Sequence, residues 1–378
     1  MIIRPIAHRD LPALQQIAVE SGPGFTSLID DHDFLVNKIQ HSIDSFARDV
    51  ATPGQESYLF VLEDEATGDF MGTTGIEASV GLSSPLYHYH LSRVVHHSRE
   101  LNLFSSVEVL NMCNHYTGCT EICTLYLRPK FRRAYAGKLL SKVRFLFMAL
   151  HPQRFADTVI AEMRGVSNDA DESPFWDWLR EHFVNLDFAT VTQLSGAGNK
   201  GFIAELMPKY PLYTNLLSHD ARAVIGEVHQ HTKPALAMLE KEGFRHKGYV
   251  DLFDGGPTVE AERDQILSVA SSVSCRIQAI AHDTAVLNRG PVSGRGDVLA
   301  IANTRTTGFR ATVTDQAVYL PEHNVLQVPA ELAKTLELDE GASARFIRLA
   351  AANTASQPVS HDQQGLALPP QKEFRYAL

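Results

Sequence analysis

The chain has 378 residues, with 34 Lys and Arg against 44 Asp and Glu and a formal net charge of −10 at pH 7. A hydrophobic fraction of 44% with 21% charged residues suits a soluble globular chain with room for a large core. The acidic balance excludes nucleic-acid binding through a broad basic face and mildly favours a cationic small substrate.

No apolar run approaches the ~20 residues that a membrane span needs. The opening MIIRPIAHRDLPALQQIA carries charge too early and too often for a signal peptide. The expectation is a cytoplasmic protein with neither nucleic acid nor membrane as partner. Four cysteines, Cys113, Cys119, Cys123 and Cys275, make no disulfide framework in a chain of this length. Cys119, Cys123 and nearby His115 lack the further ligands that would complete a tetrahedral zinc set, so no metal is expected. Cys123 reads as a small apolar residue in a strand.

In chain order, Met1–Pro5 reads as a strand, and Asp10 is placed to cap a helix with Leu11, Leu14, Ile17 and Ala18 on one face. A second helix is expected over Phe34–Phe46. Strands Tyr58–Glu63 and Phe70–Ala78 flank an EATG turn. Ile122–Leu127 is a strand, Leu139–Leu150 a helix and Thr158–Met163 a strand. Ser173 precedes the helix PFWDWLREHF, with Pro in its first turn. Phe202–Leu206 reads as a strand, Thr232 as the cap of PALAMLEKEGF ending at Gly243, and Tyr249–Phe253 as a strand stopped by DGGP. Residues 1–256 are therefore expected to form one mixed α/β unit. Over 257–349, the runs Cys275–Ala281, Asp297–Asn303, Phe309–Val313, Ala317–Leu320 and Ala344–Leu349, with a helix near Pro329–Leu336, suggest a β-rich appendage. The polar, Pro-containing stretch 350–378 reads as a tail.

Between Arg128 and Arg144 fall seven Lys or Arg and no acidic residue. They occupy a turn between the apolar strand Ile122–Leu127 and the apolar helix that follows. A helix N-terminus offers free backbone N–H groups and the positive end of the helix dipole, so this turn is suited to holding phosphates. The alternative, a solvated charged surface, fits less well with charges gathered into one turn of an acidic chain. Gly196-x-Gly198-x-x-Gly201 has the spacing of a dinucleotide fingerprint, but the expected strand at Phe202–Leu206 stands where that motif needs a helix.

Arg132-Arg133-Ala134-Tyr135-Ala136-Gly137 is similar to the R/Q-x-x-G-x-G/A loop that cradles the pyrophosphate of coenzyme A in the GNAT acetyltransferase superfamily. Tyr135 stands where the first glycine is expected. Since φ > 0 is costly for tyrosine, the turn is expected to widen or to lose one amide to the ligand. The longer segments SYLFVLED, GTTGIEASVGL, VIAEMRGVSND, LSGAGNKGFIAELMPKYPLY, VIGEVHQHTKPALAMLEKEGF and YVDLFDGGP closely resemble the arginine N-succinyltransferase family, over essentially residues 2–349.

That resemblance implies a GNAT-like mixed sheet flanked by helices, and transfer of succinyl from succinyl-CoA to the α-amine of L-arginine, the first step of arginine degradation. It implies succinyl-CoA as co-substrate, with no permanently bound cofactor. It marks His229 as the proton donor and Leu125 as a succinyl-CoA contact, which for a leucine means its backbone groups. Arg132, Arg133, Gly137 and Lys138 are the expected pyrophosphate contacts. His231 competes with His229 but lacks the family match.

A guanidinium needs carboxylates, and Glu162, Glu205, Asp251 and Asp254 are candidates. Arg164 and Lys200 are candidates for the succinyl carboxylate. His88, His90, His96 and His97 read as structural or exposed imidazoles. With no Ser or Cys in a nucleophile–base setting, direct attack in a ternary complex is expected. Competing readings keep the chemistry with ornithine or another cationic amino acid as acceptor, or make the chain a non-catalytic CoA-binding subunit of a hetero-oligomer, the latter motivated by Tyr135. A homo-oligomer is compatible with the sequence but not required by it.

Overall fold

The computed structural model describes residues 1–22, 25–168, 172–280 and 297–350. Of the expected tail 350–378, residues 351–378 lie outside the described residues, as does Ala281 at the end of one expected strand. Among the described residues sixteen strands form one continuous, mostly antiparallel sheet flanked by helices, the mixed α/β class expected.

The centre of the sheet is β1 (Ile2–Pro5), β2 (Ser57–Glu63), β3 (Phe70–Glu77), β6 (Thr120–Leu127), β7 (Thr158–Glu162) and β10 (Pro257–Glu262), side by side in that order. β2 and β3 are buried along nearly their whole length, because helices cover both faces. On one face lie α1 (Leu11–Ser21) and α2 (His32–Ala47), which bury Leu14, Ile17, Leu35 and Ile39 against Leu59 and Val61. On the other lies α3 (Ala136–Leu150), whose Leu139, Val143, Leu146 and Phe147 enter the main core. Phe147 is the hub of an aromatic cluster, with ring centroids 5.1–5.9 Å from those of Phe46, Tyr58, Phe60, Phe155 and Phe309. Edge-on aromatic pairs of this kind add to the area they bury.

Beyond β10 the sheet continues through β9 (Arg245–Val250), β4 (His88–Ser98), β5 (Leu103–Cys113) and the short β8 (Leu212–Tyr213). β4 and β5 make a fully paired hairpin from His88↔Cys113 to Ser98↔Leu103. Its outer half is exposed on both faces, so no apolar alternation marks it in the sequence. A second core, built on Phe175, Trp176, Leu179, Phe188 and Val191, covers this wing with α4 (Pro174–His182) and α5 (Phe188–Gly196).

On the far side of β1 come β13 (Ala311–Thr314), β12 (Val298–Asn303), β16 (Ser343–Ala350), β11 (Val273–Ile280), β15 (Val325–Pro329) and β14 (Val318–Leu320). β13 pairs directly with β1 (Ile2↔Thr312), so the C-terminal strands extend the central sheet. Their α3-facing residues, among them Ala300, Phe309 and Ile347, belong to the main core, and the opposite face holds a separate small core around Ile301, Leu326 and Leu336.

Two local expectations are corrected. Phe202–Leu206 is helical, within α6 (Gly201–Leu206). Its apolar residues are too few to set a period, and Pro208 and Pro211 end the helix rather than a strand. Gly196-x-Gly198-x-x-Gly201 thus links two helices and follows no strand, which is still not the strand–turn–helix of a dinucleotide site. Asp10 precedes α1 without capping it: its carboxylate accepts from the Ala7 N–H at 2.8 Å and from both terminal nitrogens of Arg4 at 2.7 and 2.8 Å.

Candidate active site

β6 and β7 run parallel but pair only at Thr120↔Val159 and Glu121↔Ile160. Past Glu121 they diverge, and a cavity of about 900 Å³ opens between them. From Ile122 onward the β7-facing edge of β6 has no strand partner among the described residues, which leaves main-chain donors and acceptors for a ligand.

On its other side β6 pairs with β3 (Gly72↔Leu127, Thr73↔Tyr126, Gly75↔Cys123), with a register shift between Thr73 and Gly75. Thr124 and Leu125 therefore oppose Thr74 alone, a β-bulge. Thr124 takes φ +55°, a rare conformation for a β-branched residue, of a kind concentrated at ligand sites. β3 accommodates the bulge with glycine: a Cβ at Gly72 would stand 2.4 Å from the Tyr126 carbonyl oxygen. Leu125 lies on the cavity wall just past the bulge.

The basic turn follows. Tyr135 adopts φ +65°, ψ −10° at the N-cap of α3, so the left-handed turn expected of a glycine is kept with a tyrosine in place. The expected widening does not occur. The conformation costs about 1–2 kcal/mol for an L-residue, and the ring packs against the main core. This removes the motive for reading the chain as a non-catalytic subunit. Gly137 and Arg132 line the cavity. The Lys138 ammonium lies 5.6 Å from the centroid of the Tyr135 ring, near the start of the helix. Arg133 turns away, pairing with Asp64 at 2.9 Å.

Carboxylates gather deeper in the cavity. Glu162, Asp251 and Asp254 line it together with Glu121, which no pattern in the sequence marked, whereas Glu205 is exposed on α6. Burial, then Glu162 and Glu77, push the Glu121 carboxyl well above the usual carboxylate range. Burial alone would raise Glu162 too, but His88 and the Lys200 ammonium outweigh it and hold that carboxyl low. His88 Nε2 stands 2.7 Å from Glu162 Oε1. Burial and the neighbouring Glu162 raise Asp251. Burial and Asp251 raise Asp254 further, although Asp254 accepts from the Gly165 and Gly256 N–H groups at 2.6 and 2.8 Å. Lys200 also borders a smaller cavity of about 300 Å³ that shares Glu121.

The His229 segment crosses the end of β7. Gly165 bridges Val228, and the His229 N–H donates to the Arg164 carbonyl at 2.9 Å. Gln230, His231 and Thr232 line the cavity; His229, next to them in the chain, is not among the lining residues. His229 Nδ1 accepts from the His231 N–H at 3.2 Å, which places the proton of the neutral ring on Nε2. The two rings lie 4.9 Å apart. Arg164 lines the cavity and donates to Ser167 Oγ at 3.0 Å.

Cys123 also reaches the wall. Burial, then Glu77 and Glu121, raise its thiol far above the ordinary value, which keeps it protonated and a poor nucleophile. Of the histidines on β4, His88 is buried, His90 packs on Tyr249 at 4.6 Å and His96 and His97 are exposed. Among the described residues no three His, Cys, Asp or Glu side chains are grouped to hold a metal, and no helix is long and apolar enough to cross a membrane.

A bulged strand that parts from its parallel neighbour, with a left-handed basic turn leading into the helix between them, is the site of an acyltransferase. Residues 1–268 match the family described as arginine N-succinyltransferase beta subunit, and residues 282–348 match its C-terminal domain. The arginine N-succinyltransferase of Salmonella schwarzengrund is 41% identical over 93% of this chain and 98% of its own length. That of Yersinia pseudotuberculosis serotype O:3 is 41% identical over 94% and 99%. The structure of arginine/ornithine succinyltransferase subunit AI from Pseudomonas aeruginosa superposes with a TM-score of 0.82 at 35% identity, covering 93% of this chain and 99% of that one. The chain belongs to the arginine N-succinyltransferase family.

Proposed function

We propose that this enzyme transfers the succinyl group of succinyl-CoA to the α-amine of L-arginine, giving N2-succinyl-L-arginine and CoA. The observation that carries the reading is the polarity of one cavity: a basic helix N-terminus at one end, and Glu121, Glu162 and Asp251 at the other. The first suits the pyrophosphate of CoA and the second a guanidinium, with the parted edge of β6 between them.

In this reading the Gly137 N–H, Arg132 and Lys138 hold the pyrophosphate, and Arg133, already neutralised by Asp64, contributes less. The pantetheine arm lies along β6, where the backbone of Leu125 beyond the bulge polarises the thioester carbonyl. A single donor to a developing oxyanion can contribute about 10²–10³ in rate. The neutral α-amine attacks the thioester carbon, its nitrogen–carbon bond forms and the carbon–sulfur bond breaks. The nitrogen loses a proton and the departing thiolate gains one. His229 is the relay: its ring takes the proton shed by the nitrogen and delivers one to the thiolate, so it ends the step as it began. Cys123, held as a thiol, takes no covalent part, so transfer is direct.

The test is release of free thiol when the purified protein meets succinyl-CoA and L-arginine, compared with ornithine at equal concentration. A higher kcat/KM on arginine is expected. No thiol release with either acceptor would overturn the reading.

A further inference from the structure

Arg144 sits two turns into α3, where an apolar core residue would be expected: Leu140 four positions before it and Phe147 three after are fully buried. Arg144 itself is 2% exposed, yet it forms part of the cavity wall. Its Nε donates to the Ser141 carbonyl at 3.0 Å and its Nη2 to Ser141 Oγ at 3.2 Å, both within its own helix. Among the described residues no carboxylate pairs with it. Burial lowers its pKa to about 10, partly offset by Cys123 and Glu242, so the group stays cationic at neutral pH. A buried guanidinium without an anion is unfavourable unless a ligand supplies one.

The other cations are placed differently. Arg132 is exposed at the mouth, Arg164 lies on the wall with its guanidinium donating to Ser167 Oγ at 3.0 Å, and Lys200, which borders the smaller cavity, is close enough to Glu121 and Glu162 to act on both. Arg144 lies seven residues beyond Gly137, about 10 Å along the helix at 1.5 Å per residue, and so deeper than the turn that suits the pyrophosphate. A dicarboxylic acyl group reaching inward from that turn would carry its free carboxylate away from the repelling acidic end and toward this cation.

We infer that Arg144 is the acyl-specificity residue: its guanidinium receives the distal carboxylate of the succinyl group. This replaces the expectation that Arg164 or Lys200 does so, and it rests on the succinyl-transfer reading. A neutral acyl chain of the same length would leave the buried charge unanswered, so the enzyme discriminates against it.

The test is calorimetric titration of the full-length protein with succinyl-CoA and with butyryl-CoA, which has the same four-carbon chain without the carboxylate. No amino acid is added, so failure of arginine turnover leaves the result readable. The wild type should prefer succinyl-CoA by about 10- to 100-fold, the size of a charge-assisted hydrogen bond. Arg144→Met should bind butyryl-CoA as the wild type does, which also shows it folded, and should lose the preference. Arg144→Lys should keep only part of it, and that loss carries the test should the Met variant bind neither ligand. An unchanged preference in the variants, or none in the wild type, overturns the inference. So does a rise in arginine KM without a matching rise for agmatine while acyl preference is kept, because the guanidinium would then be reading the acceptor's carboxylate.

Discussion

His88 Nε2 on β4 and Glu162 Oε1 at the end of β7 stand 2.7 Å apart across one sheet, and this contact separates two carboxylates of otherwise similar setting. Glu162, beside His88 and Lys200, is held low, whereas Glu121, facing Glu162 and Glu77, is pushed well above the ordinary range. One acid is kept ionised and the other waits for a cation.

Glu121→Gln should stabilise the ligand-free enzyme at neutral pH and weaken arginine binding. A carboxyl with a raised folded pKa binds more protons folded than unfolded. It therefore subtracts stability as pH rises above its unfolded value of about 4.3, and the loss is complete above the folded pKa. Removing it should raise the unfolding free energy by about 1–2 kcal/mol near pH 7, with little difference from wild type near pH 4. The arginine KM should rise about tenfold or more. Thermal unfolding at the two pH values and steady-state kinetics check both; equal destabilisation at both would contradict the assignment.

His229→Ala should lower kcat by about 10²–10⁴ while leaving succinyl-CoA affinity within a factor of about three. His231→Ala should cost less, since it keeps the His229 ring and the backbone N–H that sets its tautomer. The two kcat values, measured with calorimetric Kd values for succinyl-CoA, decide between the histidines. A larger loss at His231 would reverse their roles.

Arg132→Ala and Lys138→Ala should each weaken CoA binding by about three- to tenfold at low salt, and both losses should shrink as ionic strength rises. Arg133→Ala should do less, because Asp64 already neutralises it at 2.9 Å. Dissociation constants at 20 mM and 500 mM salt test the ranking. A flat salt response in the wild type would assign the phosphate to backbone N–H groups alone.

Phe147→Ala should destabilise the protein by about 3–5 kcal/mol. The ring touches Phe60 on β2 and Phe309 beside β13, so it joins the central and C-terminal strands in one core. Urea unfolding followed by fluorescence and far-UV dichroism should shift as a single transition. Separate transitions for the two regions would show that the cluster does not couple them.

Much of this was legible in the chain. The helices α1–α4 and strands β1–β3, β6 and β7 carry clear periods, and the basic run 128–144 pointed to an anion site at the start of α3 because charge density in a turn is a local property. Phe202–Leu206 reads wrongly as a strand because five residues set no period. The hairpin β4–β5 was missed because its outer half is exposed on both faces. Tyr135 looked disruptive because a sequence shows residue preference, not the packing that can hold a tyrosine left-handed.

The site divides along the same line. Sequence by itself determined the fold class and the family, and it marked the basic turn and the histidine pair as candidates, because these lie in short contiguous segments whose chemistry needs no distant partner. Only the tertiary structure decided which charges share the cavity. Glu121 and Glu162 become neighbours through the one short parallel contact of β6 with β7. Arg144 shows as a cation without an anion only once its surroundings are known. Burial and the identity of the nearest charge are sums over residues far apart in the chain, and those sums set the electrostatics of the site.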